Sequence, residues 1–511
     1  MRMAAPESSD CVRARALLIA AVLFISYAYF YEGGGWNQNS RFDMIRAIIE
    51  QRTLRIDAYH GNTGDKALYQ GHYYSDKAPG LALLALPAVA AVRPILRMAG
   101  VNPVSPRGVV IMSYFATLFG VSLPTALACA CLFLIALRLG STMSGAAFAA
   151  FAVGLATPVW AWATLFWGHA LTGSCLVFGL AAAVMLRENQ GAWNDLLWSF
   201  AAGLAAGWAT VSEYPAAPGS GIVAVLALPL VWSSESTRRW RVIGGLTAGV
   251  LVCVVVLMIY QRAAFGSSLH LGYSYYEEGA FPWMKRGFMG LTYPRVDVML
   301  KLLFSCRRGL LLAAPVITLA PFGLWLLWKQ TNTRSIAVAV AAAAAYYFLF
   351  NASFYAWHGG WSYGPRYLGA AVPVLGIGLA PLWSRAQPRL RRLLAIFAIC
   401  GAALSLMAVS TTAQPPLRFR CPVVELLWPS FWAGKLSLNQ FSFLAPWEEI
   451  PSQSHGAFNL GELAGLHGLA SLIPLLIFWA IAAWVWWRLS GPGSRSIRAR
   501  TCLPDERILL E

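Results

Sequence analysis

Charge is what this sequence has least of. Asp, Glu, Lys and Arg make up 12% of its 511 residues against 58% hydrophobic, and the mean hydropathy is +0.57. A balance of that kind excludes a soluble globular protein. Acidic residues are the scarcer sign, 22 against 39 Lys and Arg, for a formal net charge of +17. In a soluble chain that excess would point to nucleic acid. Here much of it lies in short turns between apolar runs, where positive charge sets membrane orientation, so no nucleic-acid partner is expected. No HExxH, Walker loop, GxSxG or dinucleotide fingerprint occurs in a credible context, which argues against metal-dependent hydrolysis and nucleotide-driven transport. The nine cysteines show no metal-type spacing, and neither a metal site nor a cofactor is read from the chain. Internal repeats and low-complexity tracts are missing too.

What is present is a succession of apolar runs of about 16 to 25 residues, the signature of an all-α, polytopic integral membrane protein. The first run follows Arg2, Arg13 and Arg15 and lacks a small-x-small cleavage site, so it reads as an uncleaved signal-anchor. Twelve spans are expected, at about 15–31, 108–137, 144–160, 169–186, 194–211, 219–233, 242–260, 309–328, 336–354, 367–384, 393–410 and 468–487. Every short inner turn is then basic, from Arg138 and Arg187 through Arg238, Arg239 and Arg241 to Lys329, Arg334, the Arg385–Arg392 cluster and Arg488. Leu81 to Val92 is too short for a crossing and reads as an interfacial or re-entrant helix; counting it as a span would place the basic clusters outside. Residues 1–488 thus form one transmembrane unit and 489–511 a short cytoplasmic tail, with both termini in the cytoplasm. Three long outer loops result, 32–107, 261–308 and 411–467. Cys306 and Cys421 both fall in outer loops, which leaves room for one disulfide.

The first outer loop is the densest polar stretch. Beyond Glu32 it holds Asp43, Glu50, Asp57, Asp65 and Asp76 among basic residues and tyrosines. Ionisable groups crowded where a membrane cavity meets water usually act on something. Four aspartates are candidate general bases. Asp43 is also placed to pair with Arg46 on the solvated face of an amphipathic helix over 42–50; Asp76 adjoins Lys77, and Asp57 and Asp65 suit turns. Asp57 or Asp65 is favoured as base because neither has an obvious helical ion-pair partner. Lys77, just before Ala78-Pro79, together with Arg307, Arg308 and Arg366 lies at headgroup depth, where cations can hold a lipid phosphate. Segment 295–305 reads as a second amphipathic helix. Trp160, Trp162, Trp167, Trp357, Trp361 and Tyr363 form an interfacial aromatic belt, with sugar stacking as the alternative. Glu277 and Glu278 read as a solvated loop.

Two stretches resemble a known family. Ser40-Arg41-Phe42, followed by Gly71-His72-Tyr73-Tyr74-Ser75-Asp76-Lys77-Ala78-Pro79, is similar to the first outer loop of GT-C membrane glycosyltransferases, D-E-x-R-(Y/F)…G-x-x-Y-x-x-K-x-P. That group includes lipid A aminoarabinose transferases and bacterial relatives of protein O-mannosyltransferases. The turn around Trp167-Gly168-His169, the run Trp357-His358-Gly359-Gly360-Trp361-Ser362-Tyr363-Gly364-Pro365-Arg366 and the entry Cys306-Arg307-Arg308 look like outer turns of the same group. The resemblance implies an inverting hexosyl- or pentosyltransferase that uses a polyprenyl-phosphate-sugar donor and an extracytoplasmic acceptor. Site residues implied with it are Lys77 and the arginines at the phosphate, and Arg41, His72, Tyr74, His169, His358, Trp361 and Tyr363 around the substrates. The acidic pair of the motif is replaced here by Gln38 and Asn39, and an amide cannot accept a proton as a carboxylate does. Either another carboxylate has the role or the chain is a non-catalytic relative. A transporter or flippase of a lipid-linked glycan is the rival class, disfavoured by the lack of inverted repeats.

Overall fold

The computed structural model describes residues 9–189, 191–226, 236–276, 281–439, 441–444 and 456–490. They form a helical bundle with two small two-stranded sheets at one end. Eight helices among these residues are long and apolar enough to cross a membrane: Ser9–Ala28, Gly80–Met98, Pro106–Arg138, Gly168–Glu188, Ser236–Phe265, Arg334–Ser353, Pro388–Thr411 and Gly468–Leu489. Ala192–Ser212 is a further unbroken 21-residue helix. Three expected spans come out shorter or interrupted. These are Met143–Leu155 followed by Val159–Ala163, Leu310–Ala313 joined through a 3₁₀ turn to Ala320–Trp328, and Ala371–Leu375 joined likewise to Leu379–Arg385. The span expected at 219–233 is helical as Ala217–Val225, and its remainder, the tail from 491 and Glu277–Glu278 lie outside the described residues.

Packing follows small residues. Helices Ala192–Ser212 and Ser236–Phe265 cross so closely that a Cβ on Gly203 would stand 2.1 Å from the Leu246 carbonyl oxygen, and one on Gly249 2.3 Å from that of Phe200. Such contacts let backbones touch in an apolar medium where burial of side chains gives little drive. At one end of the bundle, here the tail end, the basic turns gather. Arg138 pairs with Glu188, and Arg238 and Arg241 hold the buried Asp195 at 2.9 and 3.5 Å. The opposite end, the loop end, carries the polar segment 32–79.

Gly80–Met98 has the length and composition of a span, yet both of its ends lie at the loop end. Its first residue packs against Ser212, the last residue of its helix. Its last turn is followed by the connection 99–105, and Ser105 then caps the helix starting at Pro106 by accepting from the Gly108 N–H. That next helix begins beside the end of the first one: Tyr114 Oη donates to the Ala28 carbonyl at 2.6 Å, and Tyr31 and Ser113 hydroxyls meet at 2.5 Å. The segment is longer than the dozen apolar residues read from sequence, but it runs across the bundle end.

Two expectations change. The helix over 42–50 does not lie on a surface: Trp36–Arg46 and the π turn after it are covered on both faces, and Asp43 is fully buried. Val296–Phe304 does behave as an amphipathic helix, burying Val298 and Leu302 and leaving Val296, Leu300 and Phe304 exposed. Trp160, Trp162 and Trp167 belong to the core, with Trp162 Nε1 donating to the Tyr363 carbonyl at 3.0 Å, and do not form a belt. A disulfide joins Cys306 to Cys421 across 115 residues of chain.

Candidate functional site

A cavity of about 570 Å³ opens at the loop end, and three polar groupings meet on its walls.

The first comes from the hairpin. Lys66–Tyr69 pairs antiparallel with His72–Ser75 in the register Lys66↔Ser75, which sets Asp65 and Asp76 side by side at the open end of the ladder. Lys77, one residue further, puts Nζ 3.1 Å from Asp65 Oδ2 and 3.0 Å from Asp76 Oδ2. Pro79 then turns the chain into Gly80–Met98. Burial works against the charge on Lys77, but Asp65 and Asp76 outweigh it and raise its pKa. Asp76 is fully buried. Burial, against the pull of Lys77 and with the push of the Asp65 charge, moves it up to about 6.

The second is built around Glu213, which ends helix Ala192–Ser212. Arg41, 1% exposed on the loop helix, donates from Nη2 to Glu213 Oε1 at 2.6 Å, from Nε to Asn37 Oδ1 at 3.0 Å and from Nη1 to the Ala78 carbonyl at 2.7 Å. His169 Nδ1 stands 3.8 Å from the same Glu213 oxygen. Gly168 opens the helix against which the carboxylate rests; a Cβ there would sit 2.3 Å from Oε1. Burial raises the Glu213 pKa, and His169, Arg41, Lys77 and Arg366 together reverse that and hold it below the usual carboxylate range.

The third is a corner of cations. Arg308, 1% exposed, donates to the carbonyls of His358 (2.8 Å) and Gly360 (2.5 Å). Arg307 donates to the Phe419 carbonyl at 3.1 Å, next to the disulfide. Arg366 lies over Trp167 at 5.0 Å and Tyr367 at 5.3 Å, and its Nε is buried with no hydrogen-bond partner. Among the described residues, no carboxylate pairs with any of these three arginines. Burial and the charges of Arg366 and Arg307 lower Arg308 to about 9, and burial with the same cluster lowers His358 to about 4.

Of the residues singled out from sequence, Asp65, Lys77, His169, His358, Trp361 and Arg366 line the cavity. Asp76, Arg41 and Arg308 stand behind its walls. Others lie elsewhere. Asp57 pairs with His72 at 2.8 Å on the exposed side of the hairpin, and its Oδ1 accepts from the Tyr73 N–H. Asp43 accepts from Asn62 Nδ2 at 3.3 Å beneath the loop helix. Tyr74 packs on Phe265, and Tyr363 is in the core. Sequence reasoning missed Glu213, an isolated acid on the short turn 212–218. It also left unseen that Gln38 faces the cavity, with its Oε1 buried and unpartnered.

The described residues thus form a multi-pass helical bundle with a mixed-charge cavity at the end that carries the first polar loop. By sequence, the chain matches no family profile and no curated protein. By structure, it is similar to the apo oligosaccharyltransferase of Archaeoglobus fulgidus, at 14% identity and a TM-score of 0.50 over 86% of this chain and 61% of that one. It is also similar to ArnT from Cupriavidus metallidurans, at 18% identity and TM-score 0.48 in the apo state and 16% and 0.49 bound to undecaprenyl phosphate. Those two matches cover 78% of this chain and 66% and 65% of ArnT. The chain therefore spans less than two thirds of the length of these structures.

Proposed function

We propose that the protein is a glycosyltransferase that moves one sugar from a polyprenyl-phosphate donor, with inversion, to an acceptor hydroxyl. The loop end of the bundle would face the extracytoplasmic side of a bacterial inner membrane, with both termini in the cytoplasm. One observation carries the reading: a single cavity is lined both by carboxylates (Asp65 and Glu213) and by Arg366, which, like Arg308 behind it, has no carboxylate within ion-pair distance among the described residues. Transfer from a glycosyl phosphate needs both. A base takes the acceptor proton, and a cation receives the charge that develops on the departing phosphate, where a low-dielectric site makes it worth most. Lys77 lines the same cavity. It is compensated by two aspartates at rest and is free to share its donors with a phosphate once one enters. The apolar remainder of the wall, including Phe281, Trp283, Phe350 and Phe354, suits an isoprenoid chain.

Gln38 supports a second reading, a relative that binds the lipid phosphate without turning it over. Purified protein in nanodiscs decides between them. Undecaprenyl phosphate is expected to bind, and Arg366→Gln to weaken that binding by about tenfold or more, the loss expected when one charge-assisted hydrogen bond is removed. Binding unchanged in Arg366→Gln removes the phosphate assignment. Binding without turnover of any polyprenyl-phosphate sugar by the wild type establishes the second reading.

A further inference from the structure

We propose that Glu213 is the general base of the transfer, supplying from a different part of the chain the carboxylate that position 38 lacks; this rests on the glycosyltransferase reading above. Four carboxylates come into question as the base, and their surroundings separate them. Asp76 is walled off at 0% exposure, and Asp57 faces away. Asp65 lines the cavity, but among the described residues Asp65 and Asp76 are the two carboxylates within ion-pair distance of Lys77, so a proton taken by Asp65 removes one of the two. Glu213 is differently placed. Its Oε1 is anchored by Arg41, while its Oε2 accepts no hydrogen bond from any described residue, on a side chain that lines the cavity. Arg41 keeps its hydrogen bonds to Asn37, Ala78 and Ser212 when Glu213 takes a proton, although Glu213 is the one carboxylate within ion-pair distance of it among the described residues.

Position is the second argument. The Nε and Nη2 of Arg41 hold Asn37 and Glu213 on one edge of a single guanidinium, so the Glu213 carboxylate sits against the turn of the loop helix that carries Gln38. The absence of a side chain at Gly168 is what makes room for it. In the step itself, Oε2 takes the acceptor hydroxyl's proton while that oxygen bonds to the anomeric carbon. The bond from that carbon to the phosphate oxygen breaks, and its electron pair leaves with the polyprenyl phosphate toward Arg366. His169 Nδ1 stands 3.8 Å from Oε1, beyond hydrogen-bond distance.

The test uses the full chain in nanodiscs with a panel of undecaprenyl-phosphate hexoses and pentoses, reading sugar release, and undecaprenyl phosphate binding as the check on fold. Glu213→Gln is expected to lose about 10²- to 10⁴-fold in turnover, the usual cost of removing a general base, with lipid-phosphate binding within about twofold of wild type. Introducing Gln38→Asp into that variant is expected to recover turnover, since it returns a carboxylate to the neighbouring turn; a merely structural role for Glu213 would not be rescued from there. Should Glu213→Gln fail to fold, Glu213→Asp keeps the Arg41 pair and serves instead, with turnover down and binding kept. Wild-type turnover in a folded Glu213→Gln or Glu213→Asp protein overturns the assignment and leaves the glycosyltransferase reading standing. A wild type that turns over none of the panel overturns both.

Discussion

Lys77 shows how burial changes the meaning of a substitution. Read from sequence it is a loop lysine whose loss would spare the fold. In the structure it is the sole cation between Asp65 and Asp76, and removing one partner of a buried ion pair costs about 3–5 kcal/mol because the rest is left uncompensated. Lys77→Ala is therefore expected to lower the thermal midpoint in detergent as well as to abolish transfer, and Lys77→Arg to retain the fold. Lys77→Asn paired with Asp76→Asn, if it restores the midpoint without restoring transfer, separates the two roles. Asp43 moves the other way. Its carboxyl is fully buried, and burial raises its pKa well above the ordinary value, against the pull of Arg46 and Asn62. A folded-state pKa above the unfolded one gives stability that is full below the unfolded value and lost as pH rises through the folded value. Asp43→Asn is thus expected to hold or raise the neutral-pH midpoint and to flatten its decline from acid to neutral pH. A drop at neutral pH would show that the Arg46 contact outweighs burial. Sequence spacing made Asp43 a member of an exposed i, i+3 pair because nothing local records that residues 62 and 443 close over the helix. Glu213 was illegible for a related reason: its partners are 172 and 44 positions away, at Arg41 and His169, and a lone acid on a turn has no spacing to read.

At the scale of elements, the helices were legible and their interruptions were not. Hydropathy marks where an apolar run starts and stops, and the 3₁₀ turns within 310–328 and 371–385 leave that signal unchanged. The hairpin's role was half visible. Its Asp76-Lys77 dipeptide stood out, whereas the register that brings Asp65 beside it follows only from the Lys66↔Ser75 pairing. The tie between 306 and 421 is the element with the clearest consequence for the site. It closes a long loop, and within it Arg307 donates to the Phe419 carbonyl while Gln414 and Leu417 of the same strap line the cavity. Replacing both cysteines by serine is expected to lower stability by about 2–4 kcal/mol, the usual worth of such a crosslink, and to weaken undecaprenyl phosphate binding as the arginine corner loosens. Binding unaltered in the double serine variant would show that the corner holds itself.

For the whole molecule, the arginine pattern in the sequence anticipated that the basic turns would share one end, because the cost of carrying charge across a bilayer acts on every turn alike. It did not anticipate that tryptophans near span ends would be core, since nearness to an end does not say whether a side chain faces lipid or protein. The arrangement predicts labelling. Cysteines placed at Gly61, Val104 and Gly456 should react with an impermeant thiol reagent from the side that carries the first loop, and one at Ser236 should not. Val104 is the informative position, because it reacts from that side only if Gly80–Met98 returns to the end from which it set out.

That returning helix also gives the molecule a taper. Nineteen residues at about 1.5 Å each make a rod close to 28 Å long, lying across the loop end of the bundle. Leu84, Ile95 and Met98 are exposed along it. Embedded in the leaflet of the loop end, such a rod is expected to add area to that leaflet, and a bilayer that bends to relieve the difference bends toward that side. In tubes drawn from giant vesicles the protein should enrich where the loop-end leaflet is stretched, and shortening the rod by deleting one turn should abolish the preference.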